Sequence, residues 1–210
     1  MLFRSTDDLA TVLAHAANGY AEVALIGFSL GGNLTLKFLG EQNRALDPRV
    51  RRAVAFSVPC DLASSAQRLA GFAQRAYMRH FLRSLREKIR AKARRFPGQL
   101  DDRDFGRVRT FRDFDGRYTA PLHGFASAED YWAKCSCRGF LAGIPIPALL
   151  VNARNDPFLA PECFPVVAAQ AHPHLFLETP DSGGHVGFVT FNESGEYWSE
   201  SRAVEFLAGR

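Results

Sequence analysis

Short apolar runs alternate with amphipathic segments along this chain. Four of the runs have the length of single strands and are typical of strands buried on both faces of a parallel sheet. They lie at residues 22–27, 52–57, 148–153 and 175–178. Apolar residues at helical spacing predict helices around them. These helices cover residues 6–18, 31–42, 161–171 and 197–208. Strands that alternate with helices predict an α/β fold with about four parallel strands.

The stretch 58–146 interrupts this alternation between the second and third strands. Its pattern predicts helices over 62–95, 105–114 and 127–134. A connection of this length predicts an insertion over one end of the sheet rather than a structureless loop. We therefore expect a core formed by 1–57 and 147–210, with a helical cap formed by 58–146.

Composition places the chain among soluble globular proteins. Its 210 residues are 47% hydrophobic and 23% charged, enough to build one sizeable core. No apolar run approaches the length of a membrane-spanning helix, and Asp7 and Asp8 stand where a secretory signal would be apolar. The cysteines form no C-x-x-C pair, so we expect free thiols, no metal site and a cytoplasmic location. They lie at positions 60, 135, 137 and 163.

A strongly basic segment spans residues 66–95. It holds ten Arg or Lys and a single acid, Glu87, whereas the whole chain has a net charge of only +4. One interpretation is a solvated helix face. The other is a lid that attracts an anionic substrate or makes weak contact with an anionic membrane surface. No nucleic-acid-binding motif accompanies the charge, so we expect no nucleic-acid partner.

The pattern G-x-S-x-G stands where the first apolar run ends and a helix begins. It consists of Gly27, Phe28, Ser29, Leu30 and Gly31, with Gly32 directly after. In such a strained turn the serine hydroxyl projects outward, and small neighbours let the backbone close without collision. The helix that follows aims free backbone N–H groups, first that of Leu30, at a developing oxyanion. The pattern predicts that Ser29 is a nucleophile; the alternative is an ordinary glycine-rich turn.

A serine nucleophile needs a base and an acid that orients the base. His185 is the candidate base, because it lies in a glycine-rich segment just past the fourth strand. Asp156 follows the third strand, which gives the chain order Ser, Asp, His. Asp61 is the rival acid, although its position better suits a helix cap. His123 lies in the insertion and is a candidate contact for substrate.

At these residues the chain resembles the YheT-like α/β-hydrolases, also called the AB-hydrolase 4 group. The matching core motifs are Gly27–Asn33, Asn155–Phe158 and Gly183–Phe188. The matching cap segments are Phe114–Asp115, Thr119–Pro121, Gly124–Phe125 and Asp130–Trp132. The resemblance runs from about residue 5 to the C-terminus. It implies a carboxylic ester hydrolase with Ser29, Asp156 and His185 as its triad, a small or lipid ester as substrate, and no metal or organic cofactor.

The sequence departs from that family upstream of Phe3. Family members carry further residues there, with the first strands of the sheet and a loop that supplies a second oxyanion N–H. We therefore expect an N-terminally truncated chain whose strand 22–27 is a bare sheet edge, prone to self-association. Two functions follow: an active ester hydrolase, or a catalytically silent fragment or binding module that lacks part of the oxyanion hole.

Overall fold

Four parallel strands form one sheet in the computed structural model, which describes residues 5–190 and 195–209. The strands are β1 (Val23–Phe28), β2 (Val50–Phe56), β3 (Ala148–Val151) and β4 (Leu175–Glu178). They lie side by side in chain order, and each pairs in parallel with the next. The α/β architecture predicted from the alternating runs is confirmed.

Helices cover both faces of the sheet and form the segment between β2 and β3. They are α1 (Ser5–Ala16), α2 (Leu30–Gln42), α3 (Leu62–Leu69), α4 (Arg75–Arg95), α5 (Phe111–Phe114), α6 (Ala120–His123), α7 (Ala128–Cys135), α8 (Val166–Ala171) and α9 (Trp198–Leu207). Alternate residues of β2 separate two cores. Ala55 packs in the core that includes Leu36 of α2, whereas Phe56 packs with Phe206 of α9. This alternation is why β2 is apolar on both faces. Burial on both faces also holds for β3, but it is wrong for the outer strands β1 and β4, where Ile26, Phe28 and Phe176 are exposed.

Three predicted helices are shorter or divided in the structure. The segment 62–95 is two helices, because α3 ends before Gly71, whose backbone is extended, and a 3-10 turn precedes α4. In 105–114 the α-helix starts only at Phe111, because Thr110 and Asp113 form a capping box there. The predicted helix 161–171 starts only at Val166, after a 3-10 turn at Pro161–Cys163. Pro165 has no N–H to donate to the carbonyl four residues earlier, so an α-helix cannot run through it unbroken.

The segment between β2 and β3 has an apolar cluster of its own. The apolar stripe predicted for α4 is present, with Met78, Leu82 and Ile89 buried. These side chains pack with aromatic residues from the rest of the segment and with Phe158, which follows β3. Phe158 therefore joins the inserted helices to the strand ends. The division into a core and a cap at residues 58 and 146 stays a prediction.

Strand β1 lies at the edge of the described sheet. Its side chains Ile26 and Phe28 are 49% and 45% exposed. An exposed apolar edge is the feature from which self-association through 22–27 was expected, and that expectation stays a prediction. No helix in the described part of the chain combines the length and apolar character that a bilayer span requires.

The buried side chain of Asn152 joins the ends of β2 and β3. It accepts a hydrogen bond from Val58 N (2.6 Å) and donates to Val58 O (3.0 Å) and Cys163 O (2.8 Å). Because Asn152 is fully buried, no solvent would replace these three bonds.

We therefore expect Asn152→Ala to lower the free energy of unfolding by about 3 kcal/mol, measured by urea denaturation. The exposed Asn18→Ala is the matched control and should change the free energy of unfolding by less than about 0.5 kcal/mol. Equal stabilities of the two variants would contradict this role of Asn152.

Candidate active site

Ser29 occupies a strained turn between β1 and α2. Its backbone has φ 51° and ψ −123°, a conformation that L-residues rarely adopt. Its N–H donates to Phe56 O of the neighbouring strand at 2.8 Å, and its carbonyl accepts from Asn33 N at 3.1 Å. The turn is therefore fixed from both sides, and its hydroxyl faces a cavity at the carboxyl ends of the strands.

Two of the three glycines predicted to permit this turn are needed for space. A Cβ on Gly27 would lie 2.6 Å from Gly31 O, and one on Gly32 would lie 2.7 Å from Val58 Cγ2. A Cβ on Gly31 would meet nothing within 4 Å. The close approach of strand and helix thus depends on Gly27 and Gly32, whereas Gly31 is not required by packing.

The structure brings Ser29, Asp156 and His185, the residues of the predicted triad, together. His185 Nε2 lies 2.9 Å from Ser29 Oγ, and His185 Nδ1 lies 2.9 Å from Asp156 Oδ2. Asp156 is 3% exposed, and its other oxygen accepts from Phe158 N at 2.9 Å. The ring of Phe158 packs on the imidazole with centroids 4.3 Å apart. The imidazole is thus held between a hydroxyl and a carboxylate.

Asn155 and Ser57 hold the segment that carries His185, a role that was predicted for neither residue. Asn155 Oδ1 accepts from the N–H groups of Gly183 (3.0 Å) and Gly184 (2.9 Å). Ser57 Oγ accepts from Val186 N at 2.9 Å. Glycines mark this segment as a turn, but the partners of its N–H groups lie far away in sequence.

Asp61, the rival acid, lies elsewhere and caps a helix. Its carboxylate accepts from Ser64 N at 2.9 Å, at the start of α3, and approaches Arg138 at 3.7 Å. The expectation that Asp61 caps the helix that follows it is therefore correct.

A cavity of about 460 Å³ opens beside Ser29 and His185. Its wall is mainly apolar and comes largely from α3 to α7. His123 lines it, so the predicted substrate contact lies on the wall of the same cavity as Ser29. Leu30 also lines the cavity, and as the first residue of α2 it carries an N–H without an intrahelical acceptor.

Asp115 is a polar group on this mainly apolar wall. Its carboxylate accepts from Thr119 Oγ1 (2.6 Å) and Trp132 Nε1 (2.9 Å). Burial raises the pKa of Asp115 above its ordinary value, because desolvation disfavours the charged form more than these two donors favour it. Asp115 begins a π-helical turn, Asp115–Thr119, a backbone form often found at functional sites.

Comparison with known proteins places this chain in a family. A family model described as the alpha/beta hydrolase fold matches residues 3–191. The chain belongs to the α/β-hydrolase family. The resemblance to YheT-like members is also confirmed: the chain is 32% identical to the Escherichia coli (strain K12) protein YheT, assigned as an esterase, over 90% of this chain and 56% of that protein.

Other curated relatives are named as phospholipases and lipases. Phospholipase ABHD3 of Bos taurus is 27% identical over 88% of this chain and 45% of its own length. Curated relatives thus include esterases, phospholipases and monoacylglycerol lipases. The Pyrococcus furiosus esterase Pf2001 has a solved structure with TM-score 0.56 and 19% identity, covering 98% of this chain and 62% of that one, which supports the shared fold. This chain spans about half the length of the curated relatives it matches.

The glycine contacts give a test of the turn around Ser29. We expect Gly27→Ala and Gly32→Ala each to lower the free energy of unfolding by about 2–4 kcal/mol, because the added Cβ meets atoms that have little room to move. Gly31→Ala is the matched control. It should be neutral or stabilising by up to about 1 kcal/mol, since alanine favours helix where space is open. Thermal and urea unfolding would check this, and destabilisation by Gly31→Ala equal to that of the others would contradict it.

Proposed function

We propose that this protein is a serine-dependent carboxylic ester hydrolase. The observation that carries the proposal is the continuous chain of contacts from Ser29 Oγ through His185 to the buried Asp156 carboxylate. The strained conformation of Ser29 and its place at the carboxyl end of a parallel strand support the same assignment. Relatives named as esterases and lipases make ester hydrolysis the chemistry of choice.

The reaction begins when Ser29 Oγ attacks the acyl carbon of the ester. His185 Nε2 takes the hydroxyl proton, and Asp156 orients the imidazole and stabilises its charged form. The tetrahedral intermediate collapses, the C–O bond to the alcohol breaks, and His185 returns the proton to the leaving alkoxide. His185 then deprotonates a water molecule, which attacks the acyl carbon. The bond from that carbon to Ser29 Oγ breaks, His185 returns the proton to Oγ, and the acid is released.

Leu30 N–H is the oxyanion donor that we assign. It belongs to the residue after the nucleophile and stands at the start of α2, where backbone N–H groups lack intrahelical acceptors. The dipole of the helix adds a partial positive charge at that end. Negative charge on the carbonyl oxygen in the transition state is therefore stabilised where it develops.

The cavity favours substrates with an aliphatic part. Apolar side chains of the inserted helices line it beside Ser29, and burial of a chain against them is favourable at about 25 cal/mol per Å². We therefore assign esters with an acyl or alkyl chain, small or lipid, as the substrate class.

Labelling with a fluorophosphonate probe tests whether Ser29 is the nucleophile. We expect rapid labelling and hydrolysis of p-nitrophenyl esters by the unmodified protein, and a loss of at least about a thousandfold in both for Ser29→Ala. Ser201→Ala, an exposed serine on α9, is the control and should keep both activities. A well-folded protein that neither reacts with the probe nor hydrolyses esters would instead indicate the catalytically silent binding module.

Asn155 is expected to act as a positioning residue for His185. Removing its acceptor oxygen in Asn155→Ala frees the two N–H groups before His185, so the labelling rate of Ser29 should fall by about tenfold to a hundredfold. Asn155→Asp keeps an acceptor at the same place and should restore most of the rate. Equal labelling rates of the alanine variant and the unmodified protein would show that the segment does not need this support.

A further inference from the structure

Helix α4 presents one continuous face to the cavity, and this face changes from apolar to cationic along the helix. The residues of α4 that line the cavity are Phe81, Ser84, Leu85, Lys88, Ile89 and Lys92. Their spacing of three and four positions puts them on one side of the helix. Two ammonium groups therefore stand toward one end of a mainly apolar wall.

These two lysines have no counter-ion in the described part of the chain. Other basic residues of α4 do: Arg90 Nε lies 2.5 Å from Asp102 Oδ2, and Arg86 Nε lies 3.9 Å from it. Within residues 5–190 and 195–209, neither Lys88 nor Lys92 forms an ion pair or a side-chain hydrogen bond. Lys92 is nevertheless half-buried, and a cation beside an apolar wall attracts an anion more strongly than one in open solvent.

The apolar end of the face is the end near the catalytic histidine. The Phe81 ring lies 5.7 Å from the Phe158 ring, which in turn packs on His185. At about 1.5 Å per residue, Lys88 and Lys92 stand roughly 10 and 16 Å further along the helix than Phe81. The cationic groups are thus separated from the reacting atoms by a stretch of apolar wall.

We propose that Lys88 and Lys92 bind an anionic group of the substrate, so that the enzyme prefers esters that are anionic amphiphiles. The aliphatic part lies along Phe81, Leu85 and Ile89, and a carboxylate or phosphate at its far end pairs with the two ammonium groups. This proposal rests on the ester hydrolysis proposed above and names the substrate class for the same site.

Two other titratable residues on the cavity wall, Asp115 and His123, are compatible with this assignment. Both carboxylate oxygens of Asp115 already accept a hydrogen bond, one from Thr119 Oγ1 and one from Trp132 Nε1, and neither lysine pairs with it in the described part of the chain. His123 also lines the cavity and adds no negative charge.

Matched ester pairs measure the preference. The first pair is the p-nitrophenyl half-ester of sebacic acid and p-nitrophenyl decanoate, which share the chain and leaving group and differ by a terminal carboxylate. The second pair is 10-acetoxydecanoic acid and decyl acetate, which share a ten-carbon chain on the alcohol side and differ by a terminal carboxylate. We expect the unmodified protein to favour the anionic member of at least one pair in kcat/KM.

In Lys88→Ala/Lys92→Ala that preference should fall by about tenfold to a hundredfold, the range for hydrogen bonds to charged groups. Arg79→Ala/Arg83→Ala is the matched control. It removes the same charge from exposed positions of α4 outside the cavity and should leave the activities unchanged. Lys88→Glu/Lys92→Glu should reverse the preference toward an ester that ends in a quaternary ammonium group.

The outcomes separate this inference from the proposed function. If Lys88→Ala/Lys92→Ala loses the preference in the first pair, the anion lies on the acyl chain. If it loses the preference in the second pair, the anion lies on the alcohol side. Both results support the proposal. Unchanged ratios in both pairs overturn it while ester hydrolysis dependent on Ser29 stands. Equal losses in the lysine and arginine variants also overturn it, since they indicate a general surface field or membrane attraction. Activity that survives Ser29→Ala refutes the proposed function itself.

Discussion

The strained, positive-φ backbone of Ser29 is the constraint on which the rest of the site depends. Such a conformation costs about 1–3 kcal/mol and persists because its surroundings fix it. The Ser29 N–H donates to Phe56 O of β2. The absence of side chains at Gly27 and Gly32 lets α2 begin directly at the end of β1. The buried Asn33 of α2 then binds Cys135 O and Cys137 N, each at 2.8 Å, so the same helix is tied to the end of the inserted segment.

From this turn, the site is built by groups that follow neighbouring strands at one edge of the sheet. Asp156 follows β3, and His185 follows β4, so a parallel sheet brings both to the carboxyl end of β1. Polar side chains fix their relative positions: Asn152 ties β2 to β3, and Asn155 ties the two loops together. The inserted helices contribute a mainly apolar wall and none of these three side chains, and Phe158 connects that wall with the imidazole.

The sheet and the residues of the predicted triad could be predicted because both are marked by local sequence patterns. All four strands read as short apolar runs, the inner strands β2 and β3 because they are buried on both faces, and Ser29, Asp156 and His185 each follow such a run. The helix breaks in the inserted segment were missed because the apolar stripe continues across Gly71 and the capping box at Thr110. The supporting groups were missed for another reason. Asn33, Ser57 and Asn155 act through contacts between residues 28 to 129 positions apart, which no local pattern encodes.

Covalent capture of the acyl group tests directly whether Ser29 is the nucleophile. The unmodified protein is mixed with a p-nitrophenyl ester, quenched in acid during turnover, digested and analysed by mass spectrometry. We expect an acyl mass on the peptide that contains Ser29, formed with a burst of p-nitrophenol and absent from Ser29→Ala. Ester turnover with the acyl mass on another residue, such as a cysteine, or with no covalent intermediate would contradict it.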